Sequence, residues 1–183
     1  MQQNTETHQL DDIIQLFNQC FYAEFNTKLV KGGDEPIYLP ANDDVPYHAI
    51  YFARGFYSSA LHEIAHWLVA GKERRKLEDF GYWYEPDGRS EQRQRDFEKA
   101  EVKPQALEWI LSTAANFRYF ASSDNLNGDV GDTQPFKQAV YEQVKIYAEK
   151  GLPKRAETLR KALCAFYGTE DRIDLAKFDV SRI

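Results

Sequence analysis

The chain has 183 residues, 43% of them hydrophobic and 14% aromatic, which describes a folded domain with a sizeable core and excludes a disordered chain. A formal net charge of -6 argues against direct nucleic-acid binding, which calls for a basic face, and suits a cationic substrate.

Residues 1–8 are polar and are expected to be a frayed N-terminus, His8 included. From residue 10 to 25, Leu10, Ile13, Ile14, Phe17, Phe21 and Tyr22 recur at helical spacing behind Asp11 and Asp12, which predicts an amphipathic helix. Lys31-Gly32-Gly33-Asp34-Glu35-Pro36 reads as a turn, and residues 37–39 and 49–52 read as short strands on either side of a loop with Pro40 and Pro46. Lys72-Glu73-Arg74-Arg75-Lys76 reads as a solvated helix face. Phe80-Gly81-Tyr82-Trp83-Tyr84 is an aromatic run closed by the Pro86-Asp87-Gly88 turn. Adjacent aromatics cannot all face one side of a strand, so some of these rings are available to line a cleft. A helix is expected over 90–100 with Ser90 as its cap, and Pro104 either kinks it or opens a second helix through Leu107, Trp109 and Leu111. Residues 122–129 form a polar loop, two further amphipathic helices span about 135–150 and 153–167, and residues 168–183 carry no clear pattern. No repeat or linker divides the chain, so residues 1–183 are expected to form one catalytic domain of α+β class. Cys20 and Cys164 make no disulfide framework, and without a leader peptide or a long apolar run the expected location is cytoplasmic, with no membrane segment.

The most informative stretch is Ser58-Ser59-Ala60-Leu61-His62-Glu63-Ile64-Ala65-His66-Trp67-Leu68-Val69. It holds His-Glu-x-x-His in a helical pattern, capped by Ser58 or Ser59 and stopped near Gly71. A spacing of four sets His62 and His66 one turn apart on one face, where both rings can reach one metal ion. Glu63 points about 100° away, near enough to touch a metal-bound water without being a ligand. The apolar residues around them predict burial, and buried histidines need partners.

Two histidines call for a third ligand. A third histidine at the protease spacing is absent, because Val69 and Lys72 stand at the required places. Among Glu78, Glu85, Glu91, Glu98, Glu101 and Glu108, Glu85 precedes a turn, while Glu98 and Glu101 lie three apart on a helix. Glu98 shares a face with Val102, Gln105 and Trp109 and is the preferred metal ligand by a narrow margin. Glu101 is left to hold a histidine N–H or a substrate cation.

The chain resembles the bacterial elongation factor P hydroxylases along nearly its whole length. The resemblance is carried by Gly33-Asp34-Glu35-Pro36-Ile37-Tyr38-Leu39-Pro40, Leu61-His62-Glu63-Ile64-Ala65-His66-Trp67, Asp79-Phe80-Gly81-Tyr82-Trp83-Tyr84, Pro86-Asp87-Gly88-Arg89, Glu101-Val102-Lys103-Pro104-Gln105-Ala106-Leu107-Glu108-Trp109 and Asp124-Asn125-Leu126. It implies an α+β fold with the His-Glu-x-x-His helix packed on a small sheet among amphipathic helices. It also implies a metal held by His62, His66 and a glutamate, and hydroxylation of the elongation factor P lysine that carries a β-lysyl group. Two histidines and a carboxylate on Fe(II) leave open positions for molecular oxygen; zinc is another divalent metal this donor set accepts. The implied substrate carries two ammonium groups, so a cleft walled by Tyr82 and Tyr84 and ended by Asp79, Glu101 or Asp124 is expected. Glu63 and Glu101 are the candidate catalytic groups. The motif alone points instead to a zinc-dependent hydrolase, peptidase or nuclease, with Glu63 as general base. A binding module with a structural metal fits less well, since no cysteine lies near the motif in sequence.

Overall fold

The computed structural model describes residues 7–79, 91–122 and 132–183. Among them are five α-helices, α1 (Leu10–Phe25), α2 (Tyr57–Val69), α3 (Glu91–Ala114), α4 (Gln134–Lys150) and α5 (Lys154–Tyr167), and three strands, β1 (Thr27–Lys31), β2 (Ile37–Leu39) and β3 (His48–Phe52). The fold is α+β, as expected from the sequence.

The sheet has β3 in the centre, with β1 parallel to it (Thr27 opposite His48) and β2 antiparallel (Tyr38 opposite Ile50). Asn26 joins α1 to β1 in one residue by taking a left-handed φ of 48°, a conformation asparagine tolerates, and its N–H closes the helix on Tyr22 O. The outer edge of β1 is not left open, because the Leu29 N–H donates to Asn18 Oδ1 on α1 at 3.0 Å. Beyond β2, Tyr38 and Asp79 exchange backbone hydrogen bonds of 2.7 and 3.0 Å, so the chain entering the aromatic run is fixed to the sheet edge.

Helix α2 lies in the middle of the core. Leu61, Ile64, Ala65 and Leu68 are at most 1% exposed, and α2 packs on β3, α1 and α3. Each such buried aliphatic side chain contributes roughly 1.5–3 kcal/mol. The helix starts at Tyr57 with Phe56 at its N-cap and no side-chain cap, so neither Ser58 nor Ser59 has the predicted role. The turn made by Arg54 (φ 58°) and Gly55 (φ 67°) delivers the chain into the helix instead. At the other end Arg155 of α5 donates to the carbonyls of Trp67 (2.8 Å), Leu68 (3.2 Å) and Ala70 (2.9 Å) and lies 4.3 Å over the Trp67 ring. A guanidinium on the last carbonyls satisfies orphan acceptors and opposes the helix dipole. It fixes the turn that carries His66.

Several expectations are corrected. His8 does not belong to a frayed start: it is 6% exposed, its Nε2 donates to Ala115 O at 2.7 Å, and its ring stacks on Tyr167 with centroids 5.0 Å apart. Of the two expected roles, Pro104 does not open a second helix, because α3 runs through it from Glu91 to Ala114. Residues 72–76 are not a fully solvated helix face. Within them Arg74–Lys76 is a 3-10 turn, in which Arg74 pairs with Asp79 at 2.9 Å and Arg75 donates to Ala70 O at 3.0 Å. The unassigned tail adds two 3-10 turns and buries Phe178 edge-on against Trp109 at 5.1 Å. The expected Ser90 cap lies outside the described residues.

Candidate metal centre

Helices α2 and α3 run antiparallel, with His66 facing Glu101 and His62 facing Glu108. His66 Nε2 lies 3.0 Å from Glu101 Oε1, and His62 Nε2 lies 4.0 Å from Glu101 Oε2. One ligand atom from each of His62, His66 and Glu101 falls within 4.8 Å of the others. Two nitrogens and one carboxylate oxygen converging like this form a partial coordination shell of the type that leaves positions for exchangeable ligands. The donor set therefore fits a divalent transition metal.

Helix α3 also supplies the group that holds the His62 ring. His62 Nδ1 donates to Glu108 Oε1 at 2.5 Å, which fixes the ring so that Nε2 points to Glu101 and His66. Burial on its own depresses the His62 pKa, but Glu108, with help from Glu101 and Glu63, overcomes this and raises it well above the usual value. A metal ion at this site therefore competes with a proton for His62 Nε2. Glu101 is only 3% exposed. Burial raises its pKa, yet His66 and His62, with a hydrogen bond from Gln105, bring it down to about 2. It is a carboxylate at every physiological pH.

Glu63 stands apart from this trio. It lines a neighbouring solvent-open cleft of about 410 Å³ together with His66, Tyr38, Trp67, Arg75 and Asp79. Burial raises its pKa, and the charges of His62 and His66 pull the other way.

Residues 16–178 match the profile of EpmC, elongation factor P hydroxylase. The chain belongs to the elongation factor P hydroxylase family. It is also 87% identical over 176 residues to the elongation factor P lysine hydroxylase of Haemophilus influenzae, an alignment covering 96% of this chain and 99% of that protein. In this member of the family the structure brings together His62, His66 and Glu101, and it does not bring Glu98 to them. Glu98 accepts a 3.3 Å hydrogen bond from Gln94 one turn back on α3. The geometry thus favours Glu101 over Glu98 as the candidate third ligand. On these antiparallel helices Glu98 falls one turn before Glu101, towards the level at which α2 ends at Val69.

Of the expected substrate-binding residues, Asp79 is placed at the cleft but is engaged by Arg74 through contacts of 2.9 Å to Oδ2. Tyr82, Tyr84 and Asp124 lie outside the described residues. His48 lies outside this cluster, and its Nδ1 accepts from the Ala41 N–H at 2.9 Å. Sequence reasoning missed the roles of Glu108 and Gln105. A signal for them exists: Gln94, Glu98, Glu101, Gln105, Glu108 and Ser112 repeat at alternating steps of four and three, a polar seam along one face of α3.

Proposed function

We propose that this protein hydroxylates the β-lysylated lysine of elongation factor P at a non-haem Fe(II) held by His62, His66 and Glu101. The observation that supports it most is the convergence of those three side chains in a chain of this family. Iron in such a site supplies redox chemistry with molecular oxygen and a second open position. The protein's own groups do the rest. Glu108 holds His62 in the tautomer that offers Nε2, and Glu101 supplies a permanent negative charge. Glu63, in the cleft beside His66, is placed to meet an ammonium of the substrate or to hold one of its protons. Tyr38 and Trp67 wall the same cleft and can cover the substrate's methylenes. The reaction is that of an oxidoreductase of monooxygenase type acting on a cytoplasmic translation factor, with no direct nucleic-acid contact.

The test is to purify the protein without oxygen, load it with Fe(II) or with zinc, and follow β-lysylated elongation factor P by mass spectrometry in the presence of oxygen and a reductant. One added oxygen atom with the iron form only is the expected result. Glu63→Gln should retain measurable hydroxylation, since here no water has to be activated for hydrolysis. Modification by the zinc form, or hydrolysis in place of oxygen addition, would move the assignment to the zinc hydrolase in which Glu63 is the base.

A further inference from the structure

Gln105 lies one turn beyond Glu101 on α3 and is 1% exposed. Its Oε1 accepts from the Tyr119 hydroxyl at 2.6 Å and from the Ser122 backbone N–H at 3.0 Å. Its Nε2 donates to Glu101 Oε2 at 3.1 Å and to Ser122 O at 2.5 Å. A backbone N–H can only donate, so the amide atom facing Ser122 N has to be the oxygen. A carboxylate and a carbonyl only accept, so the atom facing them has to be the nitrogen. Turning the amide over would set donor against donor and oxygen against carboxylate, and the orientation is therefore locked. The lock is rooted in the core, because Tyr119 is 4% exposed and stacks on Trp109 with centroids 5.5 Å apart.

We propose that Gln105 is a positioning residue that fixes the rotation of the Glu101 carboxylate before metal arrives and couples it to the seating of the chain at Tyr119 and Ser122. A carboxyl torsion is otherwise broad and nearly two-fold, so an unheld Glu101 would present its oxygens in many directions. With Oε2 fixed by Gln105, Oε1 is left 3.0 Å from His66 Nε2. Because one amide holds both Glu101 and Ser122, metal binding and the ordering of Ser122 are linked, and linkage acts equally in both directions. The proposal rests on the reading of His62, His66 and Glu101 as the ligand set.

Metal-stripped full-length protein titrated with Zn2+ against a competing chelator provides the test, with hydrogen exchange at the Ser122 amide as a second readout. In the wild type Zn2+ should slow exchange at Ser122. Gln105→Met should weaken Zn2+ binding roughly 10-fold, the scale typical of outer-shell partners, and abolish the metal-dependent slowing even at saturating Zn2+. Tyr119→Phe, which removes one of the two donors to Oε1, should weaken binding less. A residue that only supported the fold would lower the melting temperature and leave the Zn2+ affinity of the folded protein unchanged. Wild-type affinity in folded Gln105→Met overturns the proposal; if that variant does not fold, wild-type affinity in Tyr119→Phe does so. If His62→Ala binds Zn2+ as tightly as the wild type, the ligand set itself falls and the proposal with it. If His62→Ala loses Zn2+ and the Gln105 and Tyr119 variants do not, the ligand set stands and the positioning role alone is lost.

Discussion

Within α3, residues 91–100 put charged side chains into solvent, where Arg95 pairs with Glu91 at 2.5 Å, whereas residues 101–114 are almost wholly buried and direct Glu101 and Glu108 to histidines. An exposed pair of the first kind is worth about 0–1 kcal/mol. Breaking a buried pair of the second kind costs about 3–5 kcal/mol, because it strands an uncompensated charge. The same residue type therefore does different work three positions apart. Glu98 sits where water can solvate it and where α2 has ended; Glu101 sits where only an imidazole or a metal can balance it.

The sharpest way to break this contrast is to remove each glutamate in turn. Glu101→Ala should abolish bound metal, as measured by elemental analysis after dialysis, while Glu98→Ala should retain close to wild-type metal. The opposite pattern would show that burial and proximity in α3 do not choose the ligand. A smaller effect is expected one level out. Glu108→Ala should weaken metal binding about 10- to 100-fold, and Glu108→Gln less, since its amide oxygen can still accept from His62 Nδ1. Equal affinities for wild type and Glu108→Ala in a chelator competition would mean that the His62 ring is oriented by packing alone.

Much of this was readable from residue pattern. The helix over 10–25 and the pairing of His62 with His66 follow from local periodicity, which a chain carries in its own sequence. Strand β1 was not legible, because Thr27-Lys28-Leu29-Val30-Lys31 becomes a strand through its parallel pairing with residues about 21 positions on. The tail was illegible for the same reason, since what buries Phe178 is Trp109. The choice between Glu98 and Glu101 was hard to read on a different ground. Once every side of a helix is buried, apolar periodicity no longer marks a face, and the polar seam through Gln105 and Glu108 carries the information instead.

The buried half also gives the metal-free protein a distinct pH response. His62 has a folded pKa raised above 6.5, so the stability it contributes is fully present below that pH and is lost as the pH rises through its folded value. Glu101 has a folded pKa of about 2 against the usual 4.5, so its contribution is present above 4.5 and is lost as the pH falls towards 2. Urea denaturation of stripped protein should therefore show the site contributing most between those two usual values. Loading with zinc should reverse the trend on the alkaline side, because the metal displaces the His62 proton. A stripped Glu108→Gln variant that keeps the full alkaline decline would separate that decline from His62.

The mildest prediction concerns the junction between the halves. Pro104 is buried inside α3, cannot donate to the Ala100 carbonyl, and presses its ring against that turn. Alanine in its place restores the hydrogen bond and removes a helix penalty of about 3 kcal/mol. It also deletes two buried methylene-sized groups, at about 0.8 kcal/mol each, and leaves a small cavity. The balance favours Pro104→Ala by about 1 kcal/mol, a rise of roughly 2–4 °C in Tm for a domain of this size. Glu101 lies within the turn that the proline ring packs against, and restoring the hydrogen bond there is expected to shift its carboxylate relative to α2. Metal affinity should accordingly fall as stability rises, whereas it would stay unchanged if the proline served the fold alone. A lower Tm in Pro104→Ala would show that the ring is held for its packing, and an unchanged zinc affinity would show that the proline plays no part in placing Glu101.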